Sequence, residues 1–279
     1  MSESELVKQE PQNTDLAALN YGDMAGLGYQ NMTQEDMSLS FISILQSNSP
    51  ELTQGDAKYI EGAKSGMLLD TVLKEVIPGN QGIVFVPVLT QHVFTEWVPR
   101  SSGGGYVGSH DANSDEVRQA RASAEKFGKY RLNGNDLVET FYLFGMILTE
   151  SGDIDRPAVV AITSTKIKPY KAIMTAVRTC KVRAPLFAHR LRITTAIEKN
   201  AKGTFFNFHF APLNTPKPNL GENVIASLIP PVLIDEQNNS RPNPILTAGQ
   251  ELCEQIAGGR MKMDQSQSGG NSPDEPAPF

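Results

Sequence analysis

The side chains best placed to do chemistry lie in two segments that read as paired strands, Ala188 to Ile197 and Thr204 to Ala211. They flank the turn Glu198-Lys199-Asn200-Ala201-Lys202-Gly203. Strand side chains alternate between two faces. One face of this hairpin collects Leu191, Ile193, Thr195, Phe206, Phe208 and Phe210, a core face; the other collects Arg190, Arg192, Thr194, Phe205, Asn207 and His209. Cations neutralise phosphates, and flat rings stack on bases of any sequence at roughly 1–3 kcal/mol per base. Arg190, Arg192, Lys199, Lys202, Phe205 and His209 are therefore candidate contacts to single-stranded nucleic acid. The competing arrangement puts Phe205 beneath a second layer and leaves His209 an ordinary surface histidine.

A second constellation surrounds the single tryptophan. Trp97 and Arg100 run into a glycine-rich loop that carries Tyr106, which is either a stacking platform or, in the commoner use of a lone tryptophan, a core anchor. Gly103, Gly105 and Gly108 have G-x-G-x-x-G spacing. However, the next helical pattern starts too late, and the segment after it is polar where a second parallel strand is required, so a dinucleotide site is not supported. No Gly-Lys-Ser/Thr follows the glycines. His92, His110, His189 and His209 lack zinc-ligand spacing. No catalytic constellation, metal or cofactor is expected, so the chain reads as a binder rather than an enzyme.

Charge is segregated along the chain. Residues 1–80 hold twelve acids and four bases, and residues 206–279 hold eight acids and four bases. Between them, residues 156–205 hold eleven bases against the single acid Glu198. A net charge of −6 thus conceals a strongly basic middle, which suggests a polyanion partner. No apolar run approaches the ~20 residues needed to span a bilayer. The N-terminus resembles no export signal, and two distant cysteines suit a reducing cytoplasm.

Several elements must position these groups. Ile83 to Leu89 and His92 to Val98 read as strands that pair after a short turn, with Pro87 marking an edge or a bulge. Residues 114–127 read as a helix starting at Asn113, residues 137–149 as one long buried strand, and Ala158 to Thr163 as another. Thr165 to Thr179 reads as a helix that buries Ile167, Tyr170, Met174 and Val177 and exposes Lys166, Lys168, Lys171 and Arg178. A further helix is expected over Thr247 to Ile256. The fold class is mainly β (α+β): an elaborated, mostly antiparallel barrel with helical additions. Residues 1–35 read as a mobile acidic arm, 36–260 as the binding domain, and 261–279 as a disordered tail.

That tail closes on Asp274-Glu275-Pro276-Ala277-Pro278-Phe279. Acids followed by Pro-Phe resemble the C-terminal tip of bacterial and phage single-stranded-DNA-binding proteins, although Pro276 and Ala277 interrupt the acidic run. The segments SFISILQSNSPEL, VFTEWVPRSSGGGYVG and AVVAITSTKIKPYKAIM are similar to phage proteins of replication and recombination described as SSB-like. The resemblance implies an OB-like barrel with more than the usual five strands, coating of single-stranded DNA, and recruitment of replication or recombination proteins through Asp274, Glu275, Pro278 and Phe279. Homo-oligomerisation is compatible with coating. Two alternatives remain open at this stage, a single-strand annealing recombinase and a virion structural protein.

Overall fold

The structure, a computed structural model, describes residues 38–124, 126, 128–201, 203–213, 224–261 and 263. The expected arm and tail, including Asp274, Glu275, Pro278 and Phe279, lie outside the described residues, apart from Met261 and Met263. Lys202 also lies outside them.

The long apolar run forms β7 (Asn135–Leu148), buried on both faces. Phe141, Leu143 and Ile147 enter one core cluster, while Tyr142, Phe144, Met146 and Leu148 enter another. A strand covered on both sides has no polar face to reveal its period. Its partner is β4 (Ile83–Trp97), antiparallel over residues 84–97. The two runs expected to pair with each other are thus one continuous strand. Thr90-Gln91 offers none of the glycine or asparagine that a two-residue hairpin turn needs, and β7 supplies a partner of matching length. The bulge expected at Pro87 is present: the register with β7 shifts between Pro87 and Leu89, with Gly145 opposite Pro87.

Eight further strands complete the sheet: β1 (Ser40–Ile44), β2 (Leu68–Asp70), β3 (Val76–Ile77), β5 (Tyr106–Asp111), β6 (Tyr130–Leu132), β8 (Ile154–Thr163), β9 (Leu191–Asn200) and β10 (Gly203–Pro212). Their order is β10-β9-β4-β7-β8-β1-β2-β3, with β5 added to β4 and β6 to β7. Among the described strands only the β1–β8 contact is parallel. The outcome is mainly β, α+β in class, a sheet curled into a half-barrel. A separate hairpin, β11 (Val232–Ile234) with β12 (Ser240–Pro242), occupies the proline-rich connection.

One cluster joins strands from both ends of that order, Ile42 and Leu68 with Phe208 and Phe210, so it fills the inside of the curl. Into it α2 (Ile167–Arg178) presses Tyr170, Ile173 and Val177, leaving Lys168, Lys171 and Arg178 outside. The outer cluster lies under α3 (Pro244–Ala257), through Leu252 and Ile256. A third, at the far end of β4 and β7, packs Phe94, Tyr130 and Leu137 beneath Val117 and Ala120 of α1 (Asp115–Ala122). The helix cap is Ser114 rather than Asn113: the Ser114 hydroxyl accepts from the Val117 N–H, whereas the Asn113 N–H donates to Asp111. No described helix is long and apolar enough to cross a membrane.

Side chains, rather than a strand ladder, bring β10 to β1. Buried Gln46, just past β1, donates from Nε2 to the Phe206 carbonyl (2.8 Å), and its Oε1 accepts from the Phe206 N–H (3.0 Å). Gln46→Ala strands both backbone groups and should lower the unfolding free energy by about 2–4 kcal/mol. A urea midpoint equal to that of the parent protein would refute this closure.

Burial sets a pH dependence at His189. It is buried, its Nδ1 has no hydrogen-bond partner among the described residues, and desolvation lowers its pKa from the usual value. Below about pH 6.5 the unfolded chain takes up a proton that the folded state resists, so stability should fall as pH falls from 7 towards 5.5. His189→Gln should flatten that slope in urea titrations at several pH values. An unaltered slope would assign the dependence to other groups.

Candidate nucleic-acid interface

The β9–β10 hairpin forms with the expected faces, its strands running into the expected turn as far as Asn200 and Gly203, with Phe210 opposite Ile193 and Phe208 opposite Thr195 on the inner face. Arg192, Thr194 and His209 share the outer face. Arg192 is exposed and donates to the Gln81 carbonyl (2.9 Å). His209 is exposed, with Nδ1 3.3 Å from the Thr194 hydroxyl. Arg190 is half-buried beside the Ser227 carbonyl, and Lys199 is exposed near the tip. Phe205 requires a correction. It is on the expected face but only 7% exposed, so its ring is a packed group and not an open platform. Alternation assigns a face, but it cannot say whether that face is covered.

Trp97 takes the anchor role. It is 8% exposed, its Nε1 donates to the Thr95 hydroxyl (2.9 Å), and Tyr106 meets it edge-on at 5.4 Å between ring centroids. The pair pins β5 to β4 where their register shifts. Nothing is described of the Arg100 side chain. This group is not brought to the hairpin: β9 pairs with β4 only at Ile83 to Phe85, and Trp97 lies at the opposite end of the strand. Nearby, Glu96 (buried) accepts from Asn135 (2.6 Å) and meets His110 Nε2 (2.8 Å), while His110 Nδ1 lies 3.5 Å from Glu116. These groups lock α1 to the sheet and satisfy one another.

The expected basic helix is the better candidate. Lys168, Lys171 and Arg178 are exposed along α2, and Lys181 and Arg183 follow in the next segment. No ion pair to any of the five is present among the described residues. Arg156, by contrast, is removed from the basic region, because Asp70 (3.0 Å), Glu75 (2.9 Å) and Asp155 enclose its guanidinium. Lys166 is half-buried, with Nζ 5.5 Å above the Phe208 ring.

Beside α2 runs a row of rings that sequence reasoning missed. His92 stacks on Phe141 at 4.1 Å and 9° between planes, with Glu139 3.0 Å from its Nε2. Tyr170 lies 5.2 Å from Phe141, tilted by 41°, and Lys171 Nζ stands 5.1 Å above Phe141. Burial raises the Tyr170 pKa, offset in part by its hydrogen bond to Thr90, so the phenol stays neutral. Exposed His92 leaves a flat ring available beside cations that have no ion pair among the described residues, an arrangement suited to a stacked base and its phosphates. The signal that could have found it was Pro87. The bulge there switches the parity of β4 and sets His92 opposite Phe141.

Residues 8–229 match the family model of the Pam3 phage gp34-like protein. The chain belongs to that family. No curated protein and no solved structure matches it. The match ends before β11 and α3, so the gp34-like region contains the whole curled sheet and α2.

Phe205→Ala should cost about 3 kcal/mol or more in stability, as for other buried aromatic truncations, whereas His92→Ala should cost under about 1 kcal/mol. Parallel urea titrations check both values, and equal losses would overturn the assignment of one ring to packing and the other to the surface.

Proposed function

We propose that this phage-family protein binds single-stranded DNA by coating it, with no chemical step. The observation that carries the reading is the row of cations on the outer edge of α2, without an ion pair among the described residues, set beside exposed His92, which stacks on buried Phe141. From Lys168 to Arg178 the stripe is about 15 Å long at the helical rise, enough to follow a short stretch of backbone. Lys168, Lys171 and Arg178 take phosphates, and His92 takes a base face. Arg192, Lys199 and His209 on the outer hairpin face extend the basic surface. The acidic tip at Asp274, Glu275, Pro278 and Phe279 supports recruitment of replication or recombination proteins, through its combination of charge and one large apolar ring.

The test is titration of oligo-dT across a salt series. Affinity should fall with a slope near −0.7 per phosphate contact, and Lys168→Ala with Lys171→Ala should reduce that slope by about 1.4. His92→Ala should weaken binding by roughly 1–3 kcal/mol while leaving the slope unchanged. Salt-independent binding, or none, would overturn the proposal, and absence of binding to any DNA would favour a structural role in the virion. Pairing of complementary strands in the same assay would move the reading to annealing.

A further inference from the structure

We infer that the cleft between α2 and the segment at residues 182–186 is a pocket for a single base of the bound strand, and that it prefers guanine. The cleft has a volume of about 640 Å³, a size usual for pockets that hold small molecules. Tyr170, Met174 and Leu186 give it an apolar lining, and Arg178 and Arg183 stand exposed beside them. Among the described residues no acid lines it, and none pairs with either arginine. The other cleft, of about 520 Å³, is different in kind, because Glu96, His110 and Glu116 there already answer one another's charge.

The cleft continues the site at His92. Thr90 lines it and precedes His92 by two residues on β4, beyond the bulge, so the two side chains share one face about 7 Å apart along the strand. Tyr170 hydrogen-bonds Thr90 and also lies against Phe141, the ring on which His92 stacks. A strand with one base on His92 thus brings a neighbouring base to the cleft. Arg178 stands two turns beyond Lys171 on the same edge of α2 and belongs with the phosphates. Arg183 comes from the next segment, off that line, and is left to meet the base. A guanidinium only donates hydrogen bonds. Guanine presents two adjacent acceptors, O6 and N7, which one arginine takes in a bidentate pair, whereas adenine sets its N6 amino donor beside N7. A pyrimidine covers less of the apolar lining. Selection of one base goes beyond sequence-neutral coating, though it rests on the single-strand reading proposed above.

The test titrates the full chain, by fluorescence anisotropy, with oligo-dT and with three oligomers of the same length that carry one central dG, dA or dC. The dG oligomer should bind about tenfold tighter than the dA oligomer, the discrimination one bidentate arginine gives. Arg183→Lys keeps the charge and removes the planar fork, so it should abolish that difference while the salt slope remains that of the parent protein. Equal affinity for dG and dA, a preference for dA or dC, or a dG preference that survives Arg183→Lys would overturn the guanine pocket and leave coating standing. Equal weakening of all four oligomers by the substitution would do the same, because it would make Arg183 a phosphate contact. Failure to bind any of the four would overturn the single-strand reading and the pocket together.

Discussion

The whole arrangement depends on the pair of hydrogen bonds between the Gln46 amide and the backbone of Phe206. A long twisted sheet has two edges, and each edge carries unpaired N–H and C=O groups. Here one edge strand curls round to meet β1 without joining it in a ladder. Gln46 supplies one donor and one acceptor in the geometry that a neighbouring strand would offer. The same seam is supported by Thr195, whose hydroxyl donates to the Gly66 carbonyl (2.6 Å), and by Asn207, whose Nδ2 donates to the Thr165 carbonyl (3.3 Å). Gly66 has φ +86°, and the Phe206 ring lies 2.4 Å from where its Cβ would be, so conformation and space both demand glycine. With the seam closed, the inner cluster is covered and α2 has a surface to lie on.

The bulge in β4 then decides what α2 lies beside. Without it, strict alternation would carry the parity of Phe85 through to Gln91 and Val93, and His92 would turn away from Phe141. One additional residue at 87–89 reverses the faces beyond it. Gly145 permits the bend: a Cβ there would meet the Val86 carbonyl at 2.2 Å and the Phe85 ring at 2.5 Å. The ring row His92–Phe141–Tyr170 is therefore a consequence of a backbone irregularity, and the cations of α2 acquire aromatic neighbours through it.

Elements whose signal lies within one covalent stretch were legible in the sequence. The period of α2, the continuous apolar run of β7 and the alternation across β9 and β10 needed only near neighbours, and all three appear nearly as read. What depended on distant partners was not legible. Gln46 meets a residue 160 positions away, and no local pattern marks it. Phe205 sat on the expected face, but its burial depends on what covers that face. Arg156 counted as a free cation until Asp70 and Glu75, far upstream, closed on it. Charge counting along a chain overstates a binding surface whenever some of its members are ion-paired across the fold.

The overall negative charge of the protein does not oppose an anionic ligand at α2, for a reason of length scale. At physiological ionic strength the screening length is about 8 Å, so a strand approaching the helix responds mainly to charges within a turn or two of it. There it meets Lys168, Lys171 and Arg178 with no paired acid among the described residues. Lowering the salt lengthens the range over which charge is felt, so the distant acids begin to count against a ligand just as its counterion release becomes more favourable. The two effects oppose each other. A local basic stripe on an acidic protein is therefore a surface whose discrimination between a docked strand and a passing polyanion is set by contact, not by the field of the whole molecule.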